Sequence, residues 1–290
     1  MSTDLLMGPT WFVGCGNMTG AMVEGWRSAD VGLSQAVAIR PSGKPVEGVR
    51  TVQAIGEGGR PPKLVMLGFK PQQLDEVARL LAPRLSAQTV VISILAGVEV
   101  DSLRQRFPGA AAIVRAMPNL PVAVRRGVVG LYSADADDVL RQQSKQLFSV
   151  LGFVAWTASE AELAALGAVA GAGPAYVARF IAALAKAGVQ RGLDPAIAAT
   201  VAVETVFGTG WLAAGSGEPM NSIAGRVASP NGTTEAGLAV LDRDGVLDSL
   251  VNVTIEAAAR RGAELAQAAR GAKVAAAAPL DQVPPGTRTH

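Results

Sequence analysis

In its first half the chain alternates between short unbroken apolar runs and stretches whose apolar positions recur every three or four residues. The apolar runs, at residues 11–15, 36–40, 64–67, 89–94, 111–115, 128–132 and 153–156, are four to six residues long and predict strands buried on both faces. The amphipathic stretches predict helices over about 18–28 and 135–150, with others opening at Pro71 and near Glu99. Strand and helix alternating in this way predict a mainly parallel sheet covered on both faces.

From about residue 158 the strand pattern stops. Residues 160–171, 174–192, 195–215, 233–241 and 247–270 all predict helix, with proline at starts and glycine at ends. Two of these helices are rich in alanine and apolar almost all round. A small domain cannot bury such surfaces alone, so burial against a second copy of the chain is expected. The longest apolar stretch, 196–214, is broken by Glu204, Gly208 and Gly210 and reads as a buried bundle helix rather than a membrane span. Glu204 itself is expected to be a buried, hydrogen-bonded structural acid. Trp26, Trp156 and Trp211 read as core or interface residues.

Composition narrows the chemistry. The 290 residues are 49% apolar with a formal net charge of only +2, and the basic residues are spread out, which argues against nucleic acid and acidic membrane surfaces. Cys15 is the only cysteine, so an internal disulfide is impossible and a cytoplasmic, reducing location is expected. The only histidine is His290, which removes histidine-based catalysis and most metal sites; no metal is expected. The first residues lack the basic flank and apolar core of a signal peptide.

Gly14-Cys15-Gly16-Asn17-Met18-Thr19 lies where a strand ends and a helix begins. Two glycines there let backbone approach a pyrophosphate, and the helix start supplies N–H donors. The third small position of the fingerprint is taken by Thr19. The fold expected is therefore α/β: an N-terminal Rossmann-type dinucleotide-binding domain over 1–157 and a C-terminal all-helical dimerisation domain over 158–270, followed by a disordered tail over 271–290.

The end of the second strand bears on the cofactor. An acidic residue roughly twenty or more positions after the first glycine would hold the ribose of NAD. Here the sequence reads Ile39-Arg40-Pro41-Ser42-Gly43-Lys44, with no carboxylate. Arg40, Ser42 and Lys44 suit a 2′-phosphate, which favours NADPH and leaves NADH as the alternative. Gly68-Phe69-Lys70-Pro71-Gln72 follows another strand, so Lys70 and Pro71 are expected at the same crevice. Asn119, set between Pro118 and Pro121, is expected to present its amide to the nicotinamide or substrate. Gly171-Ala172-Gly173-Pro174-Ala175-Tyr176 offers small residues for close approach between domains or to a ligand.

Pro230 to Gly237, PNGTTEAG, puts a turn and two threonines at the start of a helix. Free N–H groups, hydroxyls and the helix dipole together favour a small anion such as a carboxylate. The turn Asn231-Gly232-Thr233-Thr234 is the expected substrate-binding segment, with the backbone N–H groups of Gly232, Thr233 and Thr234 holding the carboxylate.

Together these segments resemble the pyrroline-5-carboxylate reductase family, from about residue 11 to 268 and in the family's order. GCGNM resembles its cofactor turn, FKPQ its second cofactor loop and VRAMPNLP its VxVMPNTP-like loop. GAGPAYV is similar to the tail of its SGSGPAY segment, and SPNGTTEAGL to SPGGTTxAGL, the most diagnostic of the five. The resemblance implies NAD(P)H-dependent reduction of a cyclic imine carboxylate, 1-pyrroline-5-carboxylate, to L-proline. It also implies a homodimer built through the C-terminal helices, alone or assembled further. It gives the Thr234 hydroxyl the catalytic role of hydrogen-bonding the ring nitrogen. The sequence departs from the family pattern at Leu120, Arg125, Gly167, Ala170, Ala172 and Asn231, which leaves open a paralogue acting on a related cyclic imine, or a non-catalytic NADPH-binding protein. A β-hydroxyacid dehydrogenase is the nearest enzymatic rival, but its helix lysine would fall at Val177.

Overall fold

The computed structural model describes residues 5–271; the expected tail lies outside them, apart from Gly271, which ends the last helix. The strands are β1 (Thr10–Val13), β2 (Ala36–Ile39), β3 (Arg50–Val52), β4 (Leu64–Leu67), β5 (Val90–Ser93), β6 (Ala112–Pro118), β7 (Gly127–Tyr132) and β8 (Gly152–Trp156). They form one sheet in the order β3-β2-β1-β4-β5-β6-β7-β8. All neighbours are parallel except β6 and β7, which run antiparallel. In β1, β2, β4 and β5 every side chain is buried, as four-residue apolar runs between two helical layers must be.

The helices of this half are α1 (Asn17–Ser28), α2 (Leu74–Leu81), α3 (Val100–Arg106) and α4 (Asp138–Ser149). α1 and α4 cover one face, where Trp26 stacks on Phe12 at 5.9 Å and donates its indole N–H to the Leu147 carbonyl at 2.8 Å. α2 and α3 cover the other face with Leu74, Leu81 and Leu103. Strand order reverses between β1 and β4, because the chain winds outward from β1 in one direction and resumes at β4 in the other. That reversal opens a crevice at the carboxyl ends of the two strands.

Strand gives way to helix between Trp156 and Glu160. There follow α5 (Glu160–Leu166), a π-helical turn (Gly167–Gly171), α6 (Gly173–Gln190), α7 (Pro195–Ser216), α8 (Met220–Val227), α9 (Thr233–Leu241) and α10 (Val246–Gly271). Asp194 caps α7 by accepting from the N–H groups of Ala196 and Ile197. The edge strand β3 and helix α8 are not foreseen by the sequence pattern. β3 is only three residues of mixed polarity, and α8 is a short segment without a long apolar period.

α6 and α7 lie against each other, but their apolar faces are otherwise uncovered: Phe207 is 60% exposed and Trp211 56%. Glu204, on the same helix, is exposed in the single chain. By length and composition alone, Glu160–Gln190 and Pro195–Ser216 could each cross a membrane.

An ion pair marks the junction of the two halves. Arg115 of β6 is buried and pairs with Glu160, the first residue of α5. The second carboxylate oxygen of Glu160 accepts the Val100 N–H at 2.8 Å, so one side chain ties β6, α3 and α5 together. Removing one member of such a pair leaves the other desolvated. Arg115→Met should lower the unfolding free energy by about 3 kcal/mol in urea titration, and adding Glu160→Leu should restore part of it. A single variant as stable as the parent would contradict this role.

Candidate functional site

The crevice between β1 and β4 is built by close approach of two glycines. Gly14 ends β1 with φ +81°, and a Cβ there would lie 2.8 Å from the Phe69 N and 2.9 Å from the Gly68 carbonyl carbon. Gly68 in turn has room for no Cβ, since one would fall 2.5 Å from the Gly14 carbonyl oxygen and still closer to the Thr19 hydroxyl. Thr19 is buried and donates that hydroxyl to the Gly14 carbonyl at 3.1 Å. The threonine at the third fingerprint position thus locks the turn that a smaller residue would leave looser.

The resulting cleft has a volume of about 920 Å³. Gly14, Gly16 and Asn17 line it from the start of α1, Arg40 and Ser42 from the end of β2, and Lys70 from the loop after β4. A smaller recess of about 400 Å³ continues past Gly16 and Arg40 toward Lys44, Arg27 and Glu47. Arg40 lines both spaces, whereas Ser42 belongs to the first and Lys44 to the second. Gly43, at φ +63°, turns the chain between them, and the Ser42 hydroxyl accepts the Lys44 N–H at 3.3 Å.

Three of the expected cofactor residues, Met18, Pro71 and Asn119, do not line this cleft. Met18, in the first turn of α1, is partly buried and packs its side chain against the core. Pro71 lines a separate cavity against α10, because the turn at Pro71 points Lys70 and Pro71 to opposite sides. Asn119 is buried; its Oδ1 accepts the Val128 N–H at 2.8 Å and its Nδ2 donates to the Ala170 carbonyl at 3.0 Å. The amide therefore fastens the loop after β6 to β7 and to the π-helical turn, rather than being presented to a ligand. Close approach at that turn occurs at Gly167, whose Cβ would lie 3.3 Å from Met117; Gly171 and Gly173 face open space.

Cys15 sits in the cofactor turn but is no nucleophile. Burial pushes its thiol up to about 11, and the positive charge of Arg40 offsets this only in part.

The threonine turn is well formed. Asn231 adopts the left-handed conformation at φ 56°, and its N–H donates to the Glu235 carboxylate at 2.5 Å. Gly232, the residue before α9, donates its N–H to the Ser229 carbonyl at 2.9 Å; a Cβ there would collide with Ser229. This corrects the expected donor set: the Gly232 N–H is taken by Ser229, whereas the first-turn N–H groups of Thr233, Thr234 and Glu235 precede the first intrahelical bond, from Ala236 to Gly232. None of the residues lining the nucleotide cleft comes from this turn.

From the sequence, Thr19 could have been weighed as a lock, because a hydroxyl in a position reserved for glycine or alanine calls for a partner. The Arg115–Glu160 tie and the seat of α10 carry no comparable local signal. The buried thiol gives a direct check: Cys15 should alkylate with iodoacetamide at pH 8 about a hundredfold more slowly than free cysteine, followed by mass spectrometry. Labelling at the rate of free cysteine would show the turn to be open.

Residues 160–265 match the family model for pyrroline-5-carboxylate reductase dimerisation. The exposed apolar faces of α6 and α7 lie within this matched region. Over 263 residues the chain is 34% identical to pyrroline-5-carboxylate reductase of Pseudomonas aeruginosa, covering 88% of this chain and 96% of the relative. Over 212 residues it is 39% identical to the enzyme of that name from Synechocystis, covering 72% and 77%. The solved pyrroline-5-carboxylate reductase of Coxiella burnetii superposes with a TM-score of 0.82 at 30% identity, covering 89% of this chain and 98% of that one. By extent, identity and fold together, the chain belongs to the pyrroline-5-carboxylate reductase family.

Proposed function

We propose that this chain reduces 1-pyrroline-5-carboxylate to L-proline with a reduced nicotinamide nucleotide, NADPH in preference to NADH, as a cytoplasmic homodimer. The observation that carries the reading is that one chain holds both a nucleotide cleft at the strand-order reversal and a threonine-bearing helix start, and that its relatives carry the name of that reaction. The cleft's own residues fit a dinucleotide: a Cβ on Gly16 would meet no atom within 4 Å, leaving the start of α1 open to a pyrophosphate. Gly14, Gly16 and Asn17 would hold that group, Lys70 a ribose or phosphate, and Arg40 with Ser42 or Lys44 the 2′-phosphate. Met18 and Asn119 would support these contacts through packing and loop geometry. Bound there, the cofactor supplies a hydride to the imine carbon.

The chain's own contribution is placement. Thr233 and Thr234 N–H groups would bind the substrate carboxylate at the start of α9, where the helix dipole adds about 0.3–2 kcal/mol. The Thr234 hydroxyl would hydrogen-bond the ring nitrogen and hold its proton in line. A protonated imine is already an electrophile, so no stronger acid is required. Because the turn does not line its own chain's cleft, we assign it to the cleft of the partner subunit. The unsatisfied surfaces of α6 and α7 would bring the two chains together for this.

The direct assay follows NADPH consumption with pyrroline-5-carboxylate and a panel of other cyclic imines. Turnover of pyrroline-5-carboxylate supports the proposal. Turnover of a different ring only would assign a related imine, and NADPH binding without turnover would assign a non-catalytic role. Thr234→Ala should lower kcat roughly a hundredfold with a smaller change in KM for the imine; unchanged kcat would remove the assigned role. Arg40→Ala should raise the KM for NADPH about tenfold while leaving that for NADH nearly the same. Equal effects on both cofactors would place the 2′-phosphate elsewhere.

A further inference from the structure

The last turns of α10 rest on the two loops that follow β4 and β5, and the reading above gives them no task. Gly97, in the loop after β5, has φ +73°, and a Cβ there would lie 2.9 Å from the Ala266 N and 3.0 Å from the Leu265 Cβ. Glycine is what allows the helix to come down onto that loop. Beside this contact, Pro71, Gln72 and Leu74 face Leu265 and Ala269 across a cavity of about 130 Å³. Ala269 also packs against the apolar cluster under α2 and α3. The opposite wall is braced by Asp75, whose carboxylate accepts from the Arg106 Nε at 2.6 Å.

The turn at Pro71 thus has two faces. Lys70 looks into the nucleotide cleft, while Pro71 and Gln72 look toward α10. Gln73 accepts the Lys70 N–H on its side-chain oxygen at 3.3 Å, and the 3-10 turn over Pro71–Gln73 with its proline makes the segment stiff. A displacement of one face therefore moves the other.

We propose that the end of α10 positions the cofactor loop. Leu265, seated between Gly97 and the turn at Pro71, sets where Lys70 stands, so seating of α10 and binding of the dinucleotide are coupled. α10 begins within the matched dimerisation region, so this coupling connects the subunit-pairing half of the chain to the cofactor cleft. Leu265 touches neither substrate nor cofactor; it is a positioning residue. The inference rests on the reading that the cleft binds a nicotinamide nucleotide, and its test separates the two.

In the full-length protein, Leu265→Asp should weaken NADPH binding about tenfold, the range expected for coupled sites, when binding is measured by fluorescence titration. The KM for NADPH should rise in parallel, kcat should change little, and the mass in solution should be that of the parent. Leu265→Met should restore NADPH affinity. A fall in kcat with unchanged NADPH affinity would overturn the proposal. Lys70→Ala is the companion variant. If it weakens NADPH binding and Leu265→Asp does not, the coupling is wrong while the cleft stands. If Lys70→Ala has no effect on NADPH affinity, the assignment of that loop to the cofactor fails and the inference fails with it. Hydrogen exchange on the unaltered protein covers the case in which Leu265→Asp does not fold. NADPH should slow amide exchange over residues 262–269 as well as 68–76, and protection confined to 68–76 would refute the coupling.

Discussion

The second half of this chain cannot satisfy its own apolar surface, and most of what the molecule does follows from that. α6 and α7 are long, alanine-rich and nearly continuous in hydrophobicity, yet a single chain buries only Ala198 and Ala202 of α7. At ordinary burial energies of about 25 cal/mol per Å², leaving Phe180, Phe207 and Trp211 in water forgoes several kcal/mol. A second copy is the simplest partner that supplies a matching surface, because the same patch is present on both. The membership of residues 160–265 in a dimerisation family agrees with this physical requirement.

The first half is self-sufficient by contrast. Its sheet has a core on each face, and its crevice is defined by backbone: Gly14 against Gly68, with Thr19 pinned between them. Such contacts leave little freedom for the turn that would meet a pyrophosphate. The charged residues lining the cleft are Arg40, Lys70 and Glu76, and burial keeps its one thiol protonated. A reductase of a protonated imine asks for little more than this, together with a binder for the substrate's carboxylate.

Much of this is legible in the sequence. Runs such as Leu64–Leu67 declare buried strands because nothing else keeps four apolar residues out of water, and Thr233–Leu241 begins where a turn and two threonines announce a helix start. The same reasoning failed where the deciding contact is distant in sequence. Asn119 looked like a ligand contact, but its amide partners Val128 and Ala170 are invisible to local pattern. Pro71 lines the α10 side of its turn while Lys70 lines the cleft, and sequence does not say which way a two-sided turn looks. β3 was missed because an edge strand of Arg50, Thr51 and Val52 needs only one apolar side.

The central claim is that each active centre is composite, with the cleft of one chain completed by the threonine turn of another. Mixing two full-length variants tests it most directly: Gly14→Ala, which spoils only the cleft, and Thr234→Ala, which spoils only the turn. If centres form between chains, reassembled mixtures contain dimers with one intact cleft facing one intact turn, and reductase activity rises well above either variant alone. If mixing after full subunit exchange yields no more activity than the separate variants, each chain completes its own centre and the account is contradicted.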